Sequence, residues 1–304
     1  MRTLLIESGV ETQRAKPFLK WAGGKTQLLD EIDTRLHNKE IDSGQIDTYI
    51  EPFVGGGAVF FHIAQNYPRI SHFYLFDVNE DLVNCYNAIK NDVTSVVVEL
   101  RKLERRYLKS DETARKNMFY QIRDEFNRDR SPAKLIFLNK TCYNGLYRVN
   151  KSNEFNVPFG GYKNPTICDE ENLEAVSTVL QNAEIITADF EESEQYISKH
   201  CFIYLDPPYR PISSTASFTS YAKGDFTEED QVRLADFCKR IQQKHARFLL
   251  SNSDPKNENP NDRFFCNNYK GFNIETVKAT RAINCKGDGR GEIDELIITN
   301  YRCV

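Results

Sequence analysis

Thr48-Tyr49-Ile50-Glu51-Pro52-Phe53-Val54-Gly55-Gly56-Gly57-Ala58-Val59-Phe60 reads as a short apolar strand, a triple-glycine turn and the start of a helix continued by Phe61, Ile63 and Ala64. Glycine lets the backbone turn tightly there and lets a ligand approach without a Cβ in the way. The next apolar run, Phe73-Tyr74-Leu75-Phe76, ends in Asp77, twenty residues past Gly57. In nucleoside-binding α/β folds an acid at that distance accepts from both ribose hydroxyls. Strand, glycine turn, helix, strand and acid together predict an α/β sheet holding an adenosine-containing cofactor. Asp77 could instead cap the helix expected over Glu80 to Lys90.

Upstream, Pro17-Phe18-Leu19-Lys20-Trp21-Ala22-Gly23-Gly24-Lys25-Thr26 runs apolar residues into a Gly-Gly turn and a helix start. A phosphate loop would need glycine five positions before Gly24, where Leu19 stands, so a nucleoside triphosphate site is not expected. The turn still lets Lys25 approach a small carboxylate.

Downstream the β/α rhythm breaks. Val93, Val96, Val97, Leu100, Leu103 and Tyr107 recur at helical spacing, as do Met118, Phe119, Ile122 and Phe126, and Ala133 to Lys140 reads as a third helix. These stripes are core, with polar residues opposite. We expect a helical insertion over residues 93–166. Although the chain carries a net charge of −4, Arg101 to Lys151 holds fourteen Lys/Arg against six Asp/Glu, a local +8. A solvated helical surface can show such a run; so can a polyanion footprint. The insertion ends in aromatic, amide and Arg residues interleaved with turn formers, from Thr141 to Gly160, a mixture suited to a hairpin that reaches base edges.

The rhythm resumes at Ala183 to Ala188, a strand ending in Asp189 and Phe190, where an acid can accept from an adenine amino group and a ring can cover its face. The apolar run Cys201-Phe202-Ile203-Tyr204 then stops at Leu205-Asp206-Pro207-Pro208-Tyr209. The prolines end the strand and fix φ, so a carboxylate, a carbonyl and a flat ring share one corner. Such a corner can grip a planar amino group, and a plain proline turn would read the same way. Arg210 to Asp225 is expected to be a lid-like loop, Thr227 with Asp230 starts a helix, and Arg247 to Ser251 is another strand. Strands at Ile274 to Ile283 and Glu295 to Tyr301, flanking Lys286-Gly287-Asp288-Gly289-Arg290-Gly291, read as an antiparallel pair.

Eight scattered cysteines without C-x-x-C spacing indicate neither a metal site nor a disulfide framework. Met1 to Lys16 has no apolar signal core and reads as a tail, and no run is long enough to span a membrane, so a cytoplasmic protein is expected.

Four blocks, Phe18 to Lys25, Glu51 to Gly57, Asp206 to Tyr209 and Ser251-Asn252-Ser253-Asp254, stand in an order that resembles the class-α (D12-type) DNA adenine-N6 methyltransferases, from Pro17 to Tyr301. Within that family, Thr141 to Gly160 resembles the target-recognition element of Dam-type and DpnII-type enzymes, which methylate the adenine of GATC. The resemblance implies a Rossmann-like methyltransferase sheet with helices on both faces over residues 17–92 and 167–304, and a helical and hairpin target-recognition insertion over 93–166. It implies S-adenosyl-L-methionine as cofactor, with Trp21, Gly23, Gly24, Lys25, Glu51, Phe53, Gly55, Gly56 and Gly57 around its methionine end, Asp77 at the ribose, and Asp189 and Phe190 at the adenine. Asp206, Pro207, Pro208 and Tyr209 would be catalytic, and Lys20, Tyr143, Asn144, Leu146, Arg148 and Pro158 would contact double-stranded DNA. One departure is Lys151-Ser152-Asn153-Glu154, where relatives often have a basic residue and Gly before the acid, which bears on site choice. A companion restriction endonuclease of the same specificity is compatible with the resemblance, as is a monomer or weak dimer.

Three other readings compete. A dinucleotide oxidoreductase would share the turn and Asp77, but Phe60 stands where its third glycine belongs. A methyltransferase acting on RNA or on a protein glutamine, and an inactive DNA-binding module, are the others.

Overall fold

The computed structural model describes residues 13–21, 23–36, 38–210, 226–280 and 292–302. The expected lid beyond Arg210, the Lys286 to Gly291 segment, Ala22 and most of the N-terminal tail lie outside the described residues. Seven strands, β1 (Thr48–Glu51), β2 (His72–Asp77), β3 (Ala183–Thr187), β4 (Cys201–Leu205), β5 (Arg247–Ser253), β6 (Asn273–Thr280) and β7 (Glu292–Thr299), form one sheet in the order β3-β2-β1-β4-β5-β7-β6. The first five are mutually parallel, and β7 runs antiparallel between β5 and β6.

The helices are α1 (Leu29–Arg35), α2 (Asn38–Asp42), α3 (Ala58–Asn66), α4 (Glu80–Lys109), α5 (Glu112–Asp129), α6 (Pro132–Thr141), α7 (Glu170–Leu180), α8 (Glu228–Gln243) and α9 (Phe264–Asn268). Strand alternation feeds two cores. Tyr49, Phe73, Leu75, Phe202, Tyr204 and Leu249 face the helices α3, α4 and α7, while Ile50, Phe76, Ile203, Leu205, Phe248 and Leu250 face α8 and α9. Both faces are covered, as a sheet with parallel strands buried on each side requires.

Helix α4 runs on well past Lys90, but not unbroken. Asp92 leaves helical geometry (φ −153°, ψ 68°), and its carboxylate accepts from the Ser95 N–H at 3.0 Å, so a second segment starts from a fresh cap beside Val93. That segment, α5 and α6, with its apolar Leu135 to Leu138 run, pack through Val96, Leu100, Phe119, Phe126 and Phe137 into the same core as one sheet face. The helix start after β2 is capped by Asn79, whose side chain accepts from the Leu82 N–H. Asp77 is therefore left for other work. The Thr227 hydroxyl and the Asp230 carboxylate form a reciprocal capping box at α8. No helix among the described residues is long and apolar enough to cross a membrane.

Candidate active site

Because β1, β2, β3, β4 and β5 are parallel, their C-terminal ends share one edge, and the acids that end them converge there: Glu51 on β1, Asp77 on β2 and Asp206 after β4. Burial pushes all three carboxyls upward. Glu51 is pushed well up by burial, against the hydroxyl of Tyr49 that donates to it at 2.8 Å, with the charges of Asp206 and Asp77 adding to the effect. Asp77 is pushed up to about 6 by burial, against the N–H groups of Asn79 and Gly55, which donate to it at 2.9 and 3.1 Å.

Asp206 is raised by burial and held down chiefly by Lys25. The buried Lys25 ammonium lies 2.8 Å from Asp206 Oδ1, donates to the Gly23 carbonyl at 3.0 Å, and stands 4.5 Å from the centre of the Tyr209 ring. The resemblance assigns Lys25 to the methionine end of a cofactor; its side chain is aimed at the Asp206 corner. Ser251 Oγ also donates to Asp206 Oδ1 (3.1 Å) and lies 3.0 Å from the Tyr204 hydroxyl. The Pro208 carbonyl accepts from Gln231 of α8 at 2.9 Å, which pins the proline corner to the helix behind it. The Tyr209 hydroxyl donates to Glu295 of β7 at 2.8 Å.

The glycine turn has an internal reason as well as a ligand one. Gly55 and Gly57 have φ of +47° and +71°, and a Cβ would stand 2.9 Å from Trp21 Cδ1 at the first and 2.6 Å from the Tyr86 hydroxyl at the second. Trp21 thus fills the space over Gly55 and Gly56, and it also stacks on the Tyr147 ring, at 5.4 Å, from the stretch after α6. At the far end of the edge, Asp189 pairs with Arg233 at 2.9 Å. Phe190 is buried against Phe53, with ring centres 5.5 Å apart, and against Phe237, so Phe53 is the more accessible of the stacked pair.

The residues expected to meet DNA cluster on the hairpin after α6. Cys142 bridges Phe159 and Val149 bridges Phe155, closing a loop through Asn150 to Glu154. Tyr143 is 54% exposed, its N–H donating to the Pro158 carbonyl, and Asn144 sits in the left-handed region at φ 55°. Arg148 donates to both the side-chain and main-chain oxygens of Asn156 (2.7 and 3.2 Å), so its guanidinium is aimed from the hairpin. Leu146 is half-buried and Pro158 exposed. Lys20 reaches this cluster from the N-terminal block: its ammonium lies 5.1 Å from the Tyr162 ring centre, and a Cβ on Gly145 would collide with its side chain.

Several residues were not marked by sequence reasoning. Asn139, 1% exposed on α6, accepts from the Lys20 N–H and donates to the carbonyls of Lys20 and Gly145, all at 2.8 Å. A buried amide directly after the apolar Leu135 to Leu138 run was the available signal. Ser251 stands in a quoted block but had no role, and Glu295, Gln231 and Tyr162 carried no local signal.

The edge suits a cationic nucleoside cofactor. Three carboxylates, Glu51 buried and Asp77 and Asp206 half-buried, with Lys25 paired to one of them, form an acidic set that positive charge would complement, and Asp77 offers an acceptor beside the glycine turn. Comparison with known proteins agrees. Residues 21–283 match the sequence model of the D12 class N6 adenine-specific DNA methyltransferase. The chain is 51% identical to the type II methyltransferase M.MjaIII of Methanocaldococcus jannaschii, over 94% of this chain and 99% of that one. It is 38% identical to the type II methyltransferase M1.LlaDCHI of Lactococcus lactis (94% and 95% covered) and 35% identical to the DNA adenine methylase of Escherichia coli K12 (94% and 95%). Matched over most of its length, the chain belongs to the D12 class of N6 adenine-specific DNA methyltransferases, which use S-adenosyl-L-methionine.

Proposed function

We propose that the chain methylates an adenine flipped out of a short duplex site, GATC, with residues 17–92 and 167–304 as the catalytic part and 93–166 as the target-recognition part. The observation that carries this reading is the Asp206 corner, where a half-buried carboxylate is braced by Lys25 and Ser251 beside the Tyr209 ring. S-adenosylmethionine, when bound, supplies an electrophilic methyl group on a positively charged sulfur. Asp77 would hold its ribose, Asp189, Phe190 and Phe53 its adenine, and Glu51, Trp21, Gly23, Gly24, Lys25 and the Gly55 to Gly57 turn its methionine end.

The chain's own contribution starts from the poor nucleophilicity of adenine N6, whose lone pair is delocalised into the ring. Asp206 and the Pro207 carbonyl accept the two N6 hydrogens, which draws the nitrogen toward tetrahedral shape and turns its lone pair out of the ring plane. As positive charge grows on N6, the Asp206 carboxylate stabilises it, an effect of about 3 kcal/mol for one preorganised group. Pro208 fixes the bend. The amino group is out of reach inside a duplex, and stacking on Tyr209 offsets part of the unstacking cost of a few kcal/mol. Tyr143, exposed at the base of the hairpin, is the wedge; Lys20, Leu146, Arg148 and Pro158 read the neighbouring pairs, and Asn144 contacts backbone or base.

Two of the relatives named as type II methyltransferases support a companion endonuclease of the same specificity. A cytoplasmic monomer or weak dimer goes with this reading, since one catalytic unit suffices. The test is transfer of labelled methyl from S-adenosylmethionine to duplexes with GATC or the scrambled sequence, by the wild type and by Asp206→Ala. GATC-dependent labelling that the variant loses while still binding cofactor is expected. Equal labelling of both duplexes overturns the site choice, and near wild-type turnover by the variant overturns the role of Asp206.

A further inference from the structure

We propose that Glu295 is a positioning residue for methyl transfer: its carboxylate holds the Tyr209 hydroxyl and so fixes the ring plane on which the target base stacks. The inference rests on the stacking role of Tyr209 given above. Glu295 lies on β7, outside all four sequence blocks, and is 9% exposed. Register places it opposite Ser253 at the end of β5 and opposite Val277 of β6, so both flanking strands hold its backbone. From there Oε2 accepts from the Tyr209 hydroxyl at 2.8 Å.

The chemistry of the ring explains why such a tether is needed. Tyr209 follows two prolines that fix its backbone, but its side chain still turns about two bonds. On one side the Lys25 ammonium lies 4.5 Å from the ring centre while bound to Asp206 at 2.8 Å. A cation over the face restrains the ring's height but leaves its rotation in plane and its tilt open. The hydroxyl is the ring atom farthest from the backbone, so a short bond there removes the remaining freedom with the greatest leverage. Lys25 and Glu295 then hold the ring from its face and from its tip, and the opposite face is left to the base. A carboxylate acceptor makes that tether stronger than a neutral one would be. Both neighbouring acids also raise the phenol well above its ordinary pKa, after burial, so the hydroxyl keeps the proton it donates.

The inference is tested by a double-mutant cycle in the full-length enzyme, with kcat and KM measured for a duplex substrate and 2-aminopurine at the target position reporting the flipped base. Glu295→Ala should lower kcat roughly tenfold, the loss expected for one hydrogen bond to a charged group. KM for S-adenosylmethionine should stay within about twofold, because the ring positions the base rather than the cofactor. Glu295→Gln, whose amide oxygen accepts the same bond, should recover most of the rate. Tyr209→Phe should match Glu295→Ala, and the double variant should be no slower than either single one. Multiplied losses in the double variant, or a Gln variant as slow as Ala, overturn the proposal. If Glu295→Ala does not fold, Tyr209→Phe decides, since wild-type turnover without the hydroxyl is equally fatal. Tyr209→Ala separates the two readings. An impaired Tyr209→Ala with unimpaired Tyr209→Phe and Glu295→Ala removes the tether alone; an unimpaired Tyr209→Ala with unchanged 2-aminopurine signal removes the stacking role and the tether with it.

Discussion

Replacing Lys25 by methionine keeps most of the length of the side chain and removes the charge that most opposes the upward shift of the Asp206 carboxyl. The ammonium lies 2.8 Å from Asp206 Oδ1, with the side chains 7% and 18% exposed. Burial raises the Asp206 carboxyl, and the Lys25 charge is the largest influence opposing it, ahead of the hydrogen bonds from Lys25 and Ser251. For unit charges at that separation and an effective dielectric of about 20, Coulomb's law gives about 6 kcal/mol. Water at the open edge and relaxation around the methionine lessen this. If a third survives, about 2 kcal/mol, it is enough to raise the carboxyl further above its ordinary range. The acid limb of the kcat profile should therefore move to higher pH, with most of the rate recovered on the alkaline plateau. The assay is methyl transfer at saturating DNA and cofactor, run over a pH series, with circular dichroism to establish that the variant is folded. A uniform loss at every pH with the limb unmoved would refute the reasoning and leave Lys25 only its place at the cofactor's methionine end.

Gly57→Ala forces a Cβ to within 2.6 Å of the Tyr86 hydroxyl at a φ of +71°. It should cost about 2 kcal/mol or more in denaturant unfolding, and wild-type stability would show that the turn has room to relax. Asp77, with its carboxyl at about 6, should make cofactor affinity depend on pH. Without ligand the raised value means that stability present below the unfolded pKa is lost as pH rises through about 6. Ribose hydroxyls favour the ionised form, so S-adenosylmethionine affinity should fall as pH drops below about 6 in wild type and stay flat in Asp77→Asn, read by calorimetry in two buffers. Arg148→Ala should relax discrimination at one base pair by about 1–3 kcal/mol. Equal weakening on all duplexes would make Arg148 a phosphate contact.

The sheet was legible because its signals are local. Alternating and apolar runs mark β1, β2, β4 and β5, a glycine turn and a terminal acid mark where the parallel strands end, and Thr227 with Asp230 marks a helix start within four residues. The site was legible only where its residues sit at strand ends. Lys25 in the N-terminal turn, Ser251 in β5 and Glu295 in β7 reach Asp206 and Tyr209 because β4 lies between β1 and β5, with β7 next in the sheet. Such neighbours are products of strand order, which no spacing along the chain encodes. Asn139 shows the same limit from another side. It stands out only as a polar residue at the end of the apolar Leu135 to Leu138 run, and its partners, Lys20 and Gly145, lie 119 positions before it and 6 after.

Charge counting is where a linear reading overreaches, because it credits every cation of the +8 segment to a partner molecule. In the fold, Arg101 pairs with Glu170, outside the segment, while Arg130 pairs with Asp81 and Lys134 with Glu125 and Asp129. Arg115 is spent on the carbonyls of Tyr107, Leu108 and Lys163, where it closes the turn between α4 and α5. Arg130 is the most telling of these. Asp81, which it holds at 2.8 Å, also accepts from the Tyr147 hydroxyl at 2.7 Å, and Tyr147 stacks on Trp21 over the glycine turn. That arginine fixes the hairpin beside the glycine turn, through Asp81 and the Asn153 carbonyl. A positive segment in such an enzyme is therefore partly scaffold, and the cations that meet phosphate must be identified from the fold before a footprint is inferred from their number.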